Sequence, residues 1–141
     1  MANFQIYPNL RQRIRRFPLA AQQTFPEGAP IQIDASGNAA VSDENPIAGF
    51  ACHAAGELPE VGYVLVALAL PGSTFIGQGD RAPLATDISD SFGLETDGDG
   101  DWRIDTGTSD CLQIEKVYIG GGRDQFEFSV LPGRRQFESG A

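Results

Sequence analysis

Three aspartates alternate in ETDGDGDWRID, residues 95–105, and carboxylates at that spacing could hold a divalent cation. A calcium loop beginning at Asp97 requires glycine at its sixth position and a bidentate glutamate at its twelfth. Those positions hold Trp102 and Thr108. Starting at Asp99 instead puts Arg103, a cation, at the fifth ligand position. Asp97, Asp99 and Asp101 therefore read first as a tight Gly/Asp turn between two strands, with an irregular cation site as the remaining alternative.

Catalysis needs a base, a nucleophile or a metal within reach of one another. His53 is the one histidine and follows Cys52 directly. In a strand, adjacent side chains point to opposite faces, so these two make an improbable dyad, and His53 reads as an ordinary strand residue. The chain has no Cys-x-x-Cys pair and no Gly-x-Ser-x-Gly elbow. Gly120 to Arg123 reads GGGR but leads into Asp124, Gln125 and a strand, not into the lysine and helix of a phosphate loop. A hairpin loop is the expectation there. The reading is of a protein without catalytic residues, cofactor or committed metal site.

The elements that would position these residues are read from periodicity. PIQID (Pro30 to Asp34) alternates apolar and polar residues, and Ser36, Gly37 and Asn38 turn the chain into a second strand ending near Val41. IAGFACHA follows, rich in small residues, with Gly49 placed for a bulge or a close backbone approach. In GYVLVALALPG, Val64, Val66, Leu68 and Leu70 share one face and Leu65, Ala67 and Ala69 the other, which predicts a strand covered on both sides. TFIGQ, DWRID, CLQIEKVYI and FEFSVL read as further strands, the last with Phe126, Phe128 and Val130 turned inward. ATDISDSFGLE is the one helix candidate, with Thr86 as cap, Asp87 and Asp90 near its positive end and Gly93 at its stop. Seventeen glycines and nine prolines punctuate the strands at short intervals. The expected fold is all-β, a small barrel or sandwich with one short accessory helix.

At 141 residues the chain is long enough for one domain with a core of its own. Its longest apolar run, Val61 to Leu70, is half of what a bilayer-spanning helix needs. No apolar stretch follows the N-terminal arginines, so no signal peptide is expected, and Cys52 and Cys111 are expected as reduced thiols in a protein made in a cytoplasm.

Charge divides the chain unevenly. Residues 1–16 contain Arg11, Arg13, Arg15 and Arg16 and no acid, whereas the remaining residues hold six bases and nineteen acids, for a net charge of −9 overall. An acidic body repels phosphates over about a Debye length, which argues against direct nucleic-acid binding. A basic segment on such a body suits an acidic protein surface. Residues 1–16 are expected to form an extended arm, with Phe4, Ile6, Tyr7, Leu10 and Ile14 as anchors, ordering on a partner or remaining a solvated tail. Residues 17–141 are expected to form the β domain.

The order of these features resembles the capsid decoration proteins, also called cement or head-stabilisation proteins, of tailed bacteriophages. That family has an early G-x-x-V hairpin, an I-x-G-x-A strand and a V-x-V-x-x-x-G strand. Gly28-Ala29-Pro30-Ile31, Ile47-Ala48-Gly49-Phe50-Ala51 and Val64-Leu65-Val66 through Gly72 occupy those places, and the similarity runs over roughly residues 17–135. The resemblance implies a β-tulip-like domain, clustered as a trimer or similar group on the outer surface of a viral capsid. It implies the major capsid protein as partner, no membrane, no cofactor, and a mechanical role in bridging capsomers of the expanded head. An N-terminal segment carrying Phe4, Ile6, Arg11, Arg13, Arg15 and Arg16 would dock on the shell, and a strand added to a neighbour would provide its backbone hydrogen bonds. The extra segment from about Arg81 to Ile114 departs from the smallest members. Other phage structural roles, a head-tail connector or a tail component, share such a fold. A carbohydrate- or calcium-binding β module is the reading that Trp102 beside the aspartates would support, if that ring were exposed and not part of the core.

Overall fold

The computed structural model describes residues 6–9, 13–21, 23–42, 45–55 and 62–137. Phe4 and Arg11 lie outside these residues. The protein is a small, mainly-β domain, its described residues 44% strand and 2% helix, built from curled antiparallel sheets that form a half-barrel.

Among the described residues eleven strands appear in chain order: β1 Tyr7–Pro8, β2 Ile14–Pro18, β3 Pro30–Ile33, β4 Ala39–Val41, β5 Gly49–Ala51, β6 Tyr63–Leu68, β7 Phe75–Gly77, β8 Ser91–Thr96, β9 Trp102–Asp105, β10 Leu112–Tyr118 and β11 Gln125–Val130. One sheet has the order β2-β6-β5-β3-β4 and the other β1-β7-β11-β10-β8-β9. Each curls back on itself through one parallel bridge, Leu19 to Ala39 in the first and Gly79 to Ile104 in the second.

Alternation along β5 and β6 explains how two cores share one wall. Val64, Val66 and Leu68 point into the first sheet's concavity with Phe17, Ile31, Ala39 and Ala51. Ala67 and Ala69 point the other way, with Phe50, into the core under the second sheet. The two-sided burial expected for β6 is what the fold uses. In the second core Phe50, Phe75 and Phe128 pack with ring centroids 4.7–6.1 Å apart, in tilted and edge-on arrangements that aromatic quadrupoles favour. Trp102 is half-buried and touches both cores, so it is a packing residue between them.

The shared wall requires Gly49. A Cβ there would collide with the carbonyl oxygen of Ala67 and lie 2.7 Å from Val66 Cγ1. The close backbone approach anticipated from the sequence is thus present, on the strand that pairs with both β3 and β6.

Two expectations are corrected. The helix expected over ATDISDSFGLE is a single 3-10 turn, Ala85–Asp87, followed by β8. Thr86 does not cap it; Asp87 does, accepting a hydrogen bond from the backbone N–H of Leu84 at 2.7 Å while Arg81 grips both its oxygens at 2.9 Å. Gly93, expected as a helix stop, lies within β8 opposite Asp105, and Phe92 and Leu94 on either side are buried at strand period. Second, the described part of residues 1–16 belongs to the domain. Ile6 is 1% exposed within the larger core, Tyr7 and Pro8 pair with Ile76 and Phe75, and Ile14 to Pro18 pair with β6 in unbroken register. The described parts of the N-terminal stretch therefore pair with both sheets, Tyr7 and Pro8 with β7 and Ile14 to Pro18 with β6.

Candidate functional site

The basic strand β2 is the described surface whose composition departs most from the rest of this acidic chain. It hydrogen-bonds β6 along one edge, and Ile14, Arg15, Arg16 and Pro18 are exposed around the single buried residue Phe17. Strand alternation divides these side chains between two sides. Ile14, Arg16 and Pro18 share one side with Tyr63 of β6, and the Arg16 guanidinium carbon lies 4.1 Å from the Tyr63 ring centroid. Ile14 is 50% and Tyr63 40% exposed, so this side presents apolar area beside a charge. Arg15 is on the other side, 5.1 Å from the centroid of Phe17, with the exposed Arg13 two residues before it. Stacking on a ring engages the flat face of a guanidinium, whereas hydrogen bonds to carboxylates use its N–H edge.

Further cations are also engaged within the chain. Arg81 pairs with Asp87 at 2.9 Å, Arg103 with Glu95 at 2.6 Å and Arg134 with Asp110 at 3.1 Å. Lys116 and Arg123 lie over the ring of Tyr118, at 5.5 and 4.3 Å. The Tyr118 hydroxyl donates to Glu127 at 2.6 Å, and that bond to a carboxylate holds its pKa above the ordinary tyrosine value.

The Arg81 bridge pulls the Asp87 carboxyl below the usual aspartate range, with the Leu84 N–H adding to the effect and burial opposing it. A depressed folded-state pKa contributes stability that is complete above the unfolded value near 4 and is lost as pH falls through the folded value. Asp87→Asn should therefore destabilise the domain at neutral pH by about 1–2 kcal/mol and flatten its acid limb below about pH 4. Urea unfolding from pH 2 to 7 checks this; parallel curves for the two proteins would contradict it.

The aspartates of the opening motif form the turn between β8 and β9. Asp97 Oδ1 accepts hydrogen bonds from the N–H groups of Asp99 at 2.7 Å and Asp101 at 3.1 Å, so its carboxylate is committed to the turn. Asp99 is exposed between Gly98 and Gly100. The three do not converge. The carboxylates that do, among the described residues, are Asp80, Glu95 and Asp105, with one oxygen of each within 4.8 Å of the others. Each has donors of its own: Thr106 for Asp80, Arg103 for Glu95, Gly107 and Thr108 for Asp105. The sequence hid this grouping because the parallel bridge from Gly79 to Ile104 brings in Asp80 from a distant part of the chain.

His53 accepts the Leu65 N–H at Nε2, 3.0 Å, and Nδ1 lies 2.9 Å from the Ala54 carbonyl, which assigns the proton to Nδ1. It ties the bend after β5 to β6, a structural use of the ring. Cys52 and Cys111 are free thiols, and burial pushes the Cys52 thiol up. GGGR forms part of the β10–β11 hairpin loop, as expected from the sequence.

Of the predicted docking residues, the structure brings Arg13, Arg15 and Arg16 together on one exposed stretch. Ile6 is removed to the core, and Phe4 and Arg11 lie outside the described residues. Tyr63 completes the face and was missed, because it reads as the first residue of an ordinary core strand. No helix among the described residues is long and apolar enough to cross a membrane. No protein-family model matches the chain, and no curated protein matches it.

Proposed function

We propose that this chain is a structural virion subunit, a decoration protein bound to the outer surface of a bacteriophage capsid. In this reading it contacts the major capsid protein and bridges neighbouring capsomers of the expanded head, with no catalytic role and no cofactor. The observation that carries the reading is the preformed basic and aromatic face, Ile14, Arg16 and Tyr63, on a body whose net charge is otherwise strongly negative. The order of the three short motifs supports it, since Gly28–Ile31, Ile47–Ala51 and Val64–Gly72 lead into or contain β3, β5 and β6, the strands around the first core. A rigid strand suits repetitive docking better than a free arm, because little ordering entropy is lost at each site. Many individually weak contacts on one shell then add through avidity.

Deleting residues 1–16 would remove β1, most of β2 and a core side chain, so the test uses surface charge. Ile14→Glu with Arg16→Glu should leave the fold within about 0.5 kcal/mol of wild type. On purified expanded heads that lack the protein, occupancy at a fixed concentration should fall by about tenfold or more, as expected when a rim charge opposes its partner. Unchanged occupancy with a folded variant would contradict the docking face.

A further inference from the structure

Past β11 the chain turns back over residues 131–134 and lays residues 134–137 against the first sheet. Ile47 donates its N–H to the Arg134 carbonyl and accepts the Gln136 N–H, both at 2.8 Å. The Gln136 side chain serves Ile33 in the same way: Oε1 accepts the Ile33 N–H and Nε2 donates to the Ile33 carbonyl, again at 2.8 Å each. A glutamine amide carries an acceptor and a donor side by side, so it stands in for a peptide group. It does so where strand pairing stops, since β3 pairs with β5 through Pro30 and Ile31. Phe137 packs against the first core, and Arg135 donates to the Val130 carbonyl at 3.0 Å. Gln136 thus holds two elements at once, Ile47 through its backbone and Ile33 through its side chain.

We propose that residues 134–137 form a latch, with Gln136 as its catch, which opens as one unit while both sheets stay paired. The sheets do not depend on it: β3 pairs with β4 and β5, and β5 with β6, without a rung from the C-terminal segment. The root of the latch is fixed on the second sheet, where the Leu131 N–H donates to the Cys111 carbonyl at 2.8 Å. Gly133 supplies the pivot at a φ of 87°, a backbone conformation that glycine adopts without strain. Opening gives up a few bonds made by half-buried residues and uncovers the N–H and carbonyl groups of Ile33 and Ile47, so it costs less than separating the wall shared by the two cores. The latch is independent of attachment to a shell, because none of Ile14, Arg16 and Tyr63 takes part in it.

The experiment is native-state hydrogen exchange on the full chain, read by NMR at low urea. In wild type the amides of Ile33, Ile47 and Gln136 should share one opening, insensitive to low urea and protected at least about tenfold less than the Ala67 amide in the shared wall. Gln136→Met keeps the length of the side chain and removes its two bonds, and protection at all three positions should fall together by about tenfold or more. A purely local role for the amide would lower protection at Ile33 and leave Ile47 unmoved, because Ile47 is bonded to backbone atoms of the segment. Exchange of the three amides only together with Ala67, a separate opening for each, an unmoved Ile47 in the variant, or a variant that no longer folds would overturn the proposal.

Discussion

Gly49→Ala should lower the unfolding free energy by about 3 kcal/mol, the upper end of what overpacking a core costs. The methyl group would enter the space of the Ala67 carbonyl oxygen, which is backbone in the adjacent strand and has no rotamer through which to move aside. Relief requires β5 and β6 to separate, and these strands form the wall shared by both cores. Mixed disruption of two cores by one methyl is what makes the effect large for so conservative a change. For a domain of this size the shift in melting temperature is roughly 6–12 °C. Gly98→Ala is the matched control, because its Cβ meets nothing within 4 Å, and should stay within about 0.5 kcal/mol of wild type. Thermal or urea unfolding reads both, and equal stability for the two variants would contradict the packing described for β5.

Ile6→Ala should cost about 3 kcal/mol, within the range for truncating a buried aliphatic side chain to alanine. Ile6 fills a site built for it: Gly77 lacks a side chain, and a Cβ there would stand 2.9 Å from Ile6 Cγ1. The strand that follows Ile6, β1, is short, with two paired residues, and is pinned at its end by Asn9, whose backbone N–H donates to the Thr74 carbonyl at 3.0 Å. Loss of the side chain therefore weakens the attachment of β1 as well as leaving a cavity. Ile14→Ala, at a half-exposed position, should change stability by about 0.5 kcal/mol or less. If residues 1–16 were an arm outside the fold, both substitutions would be silent in urea unfolding. The difference between them decides where the domain begins.

The same two residues show what could be read from the chain and what could not. Period-2 alternation was strong wherever a strand has one wet face or two dry ones. Val64 to Leu70, Phe126 to Val130 and the hairpin around Ser36 to Asn38 accordingly matched the fold. In residues 1–16 the signal was masked by charge, since four arginines in six positions outweigh Ile6 and Ile14 in any local pattern. Burial of Ile6 depends on Gly77, some seventy residues away, which no local pattern contains. At Thr86 to Glu95 capping residues and two acids imitated a helix start. Arg81 and Asp87 satisfy each other there and arrest the turn after three residues, leaving Phe92 and Leu94 free to alternate as a strand. The proposed docking face was half legible: the arginines stood out, whereas their division between two sides of β2 and the place of Tyr63 beside Arg16 follow only from the register with β6.

The turn reading of Asp97, Asp99 and Asp101 holds in the fold. The Asp97 carboxylate builds the turn by accepting two backbone N–H bonds, and Asp99 is exposed at its tip.

The central claim is that this protein attaches across the outer surface of a phage head, and the most direct measurement is a binding isotherm on expanded heads that lack it, with bound copies counted per particle. The account predicts saturation at a copy number set by equivalent sites over the whole shell, the same for every head, and lost in the Ile14→Glu, Arg16→Glu variant. Binding confined to a single vertex, or no saturable binding at all, would contradict it.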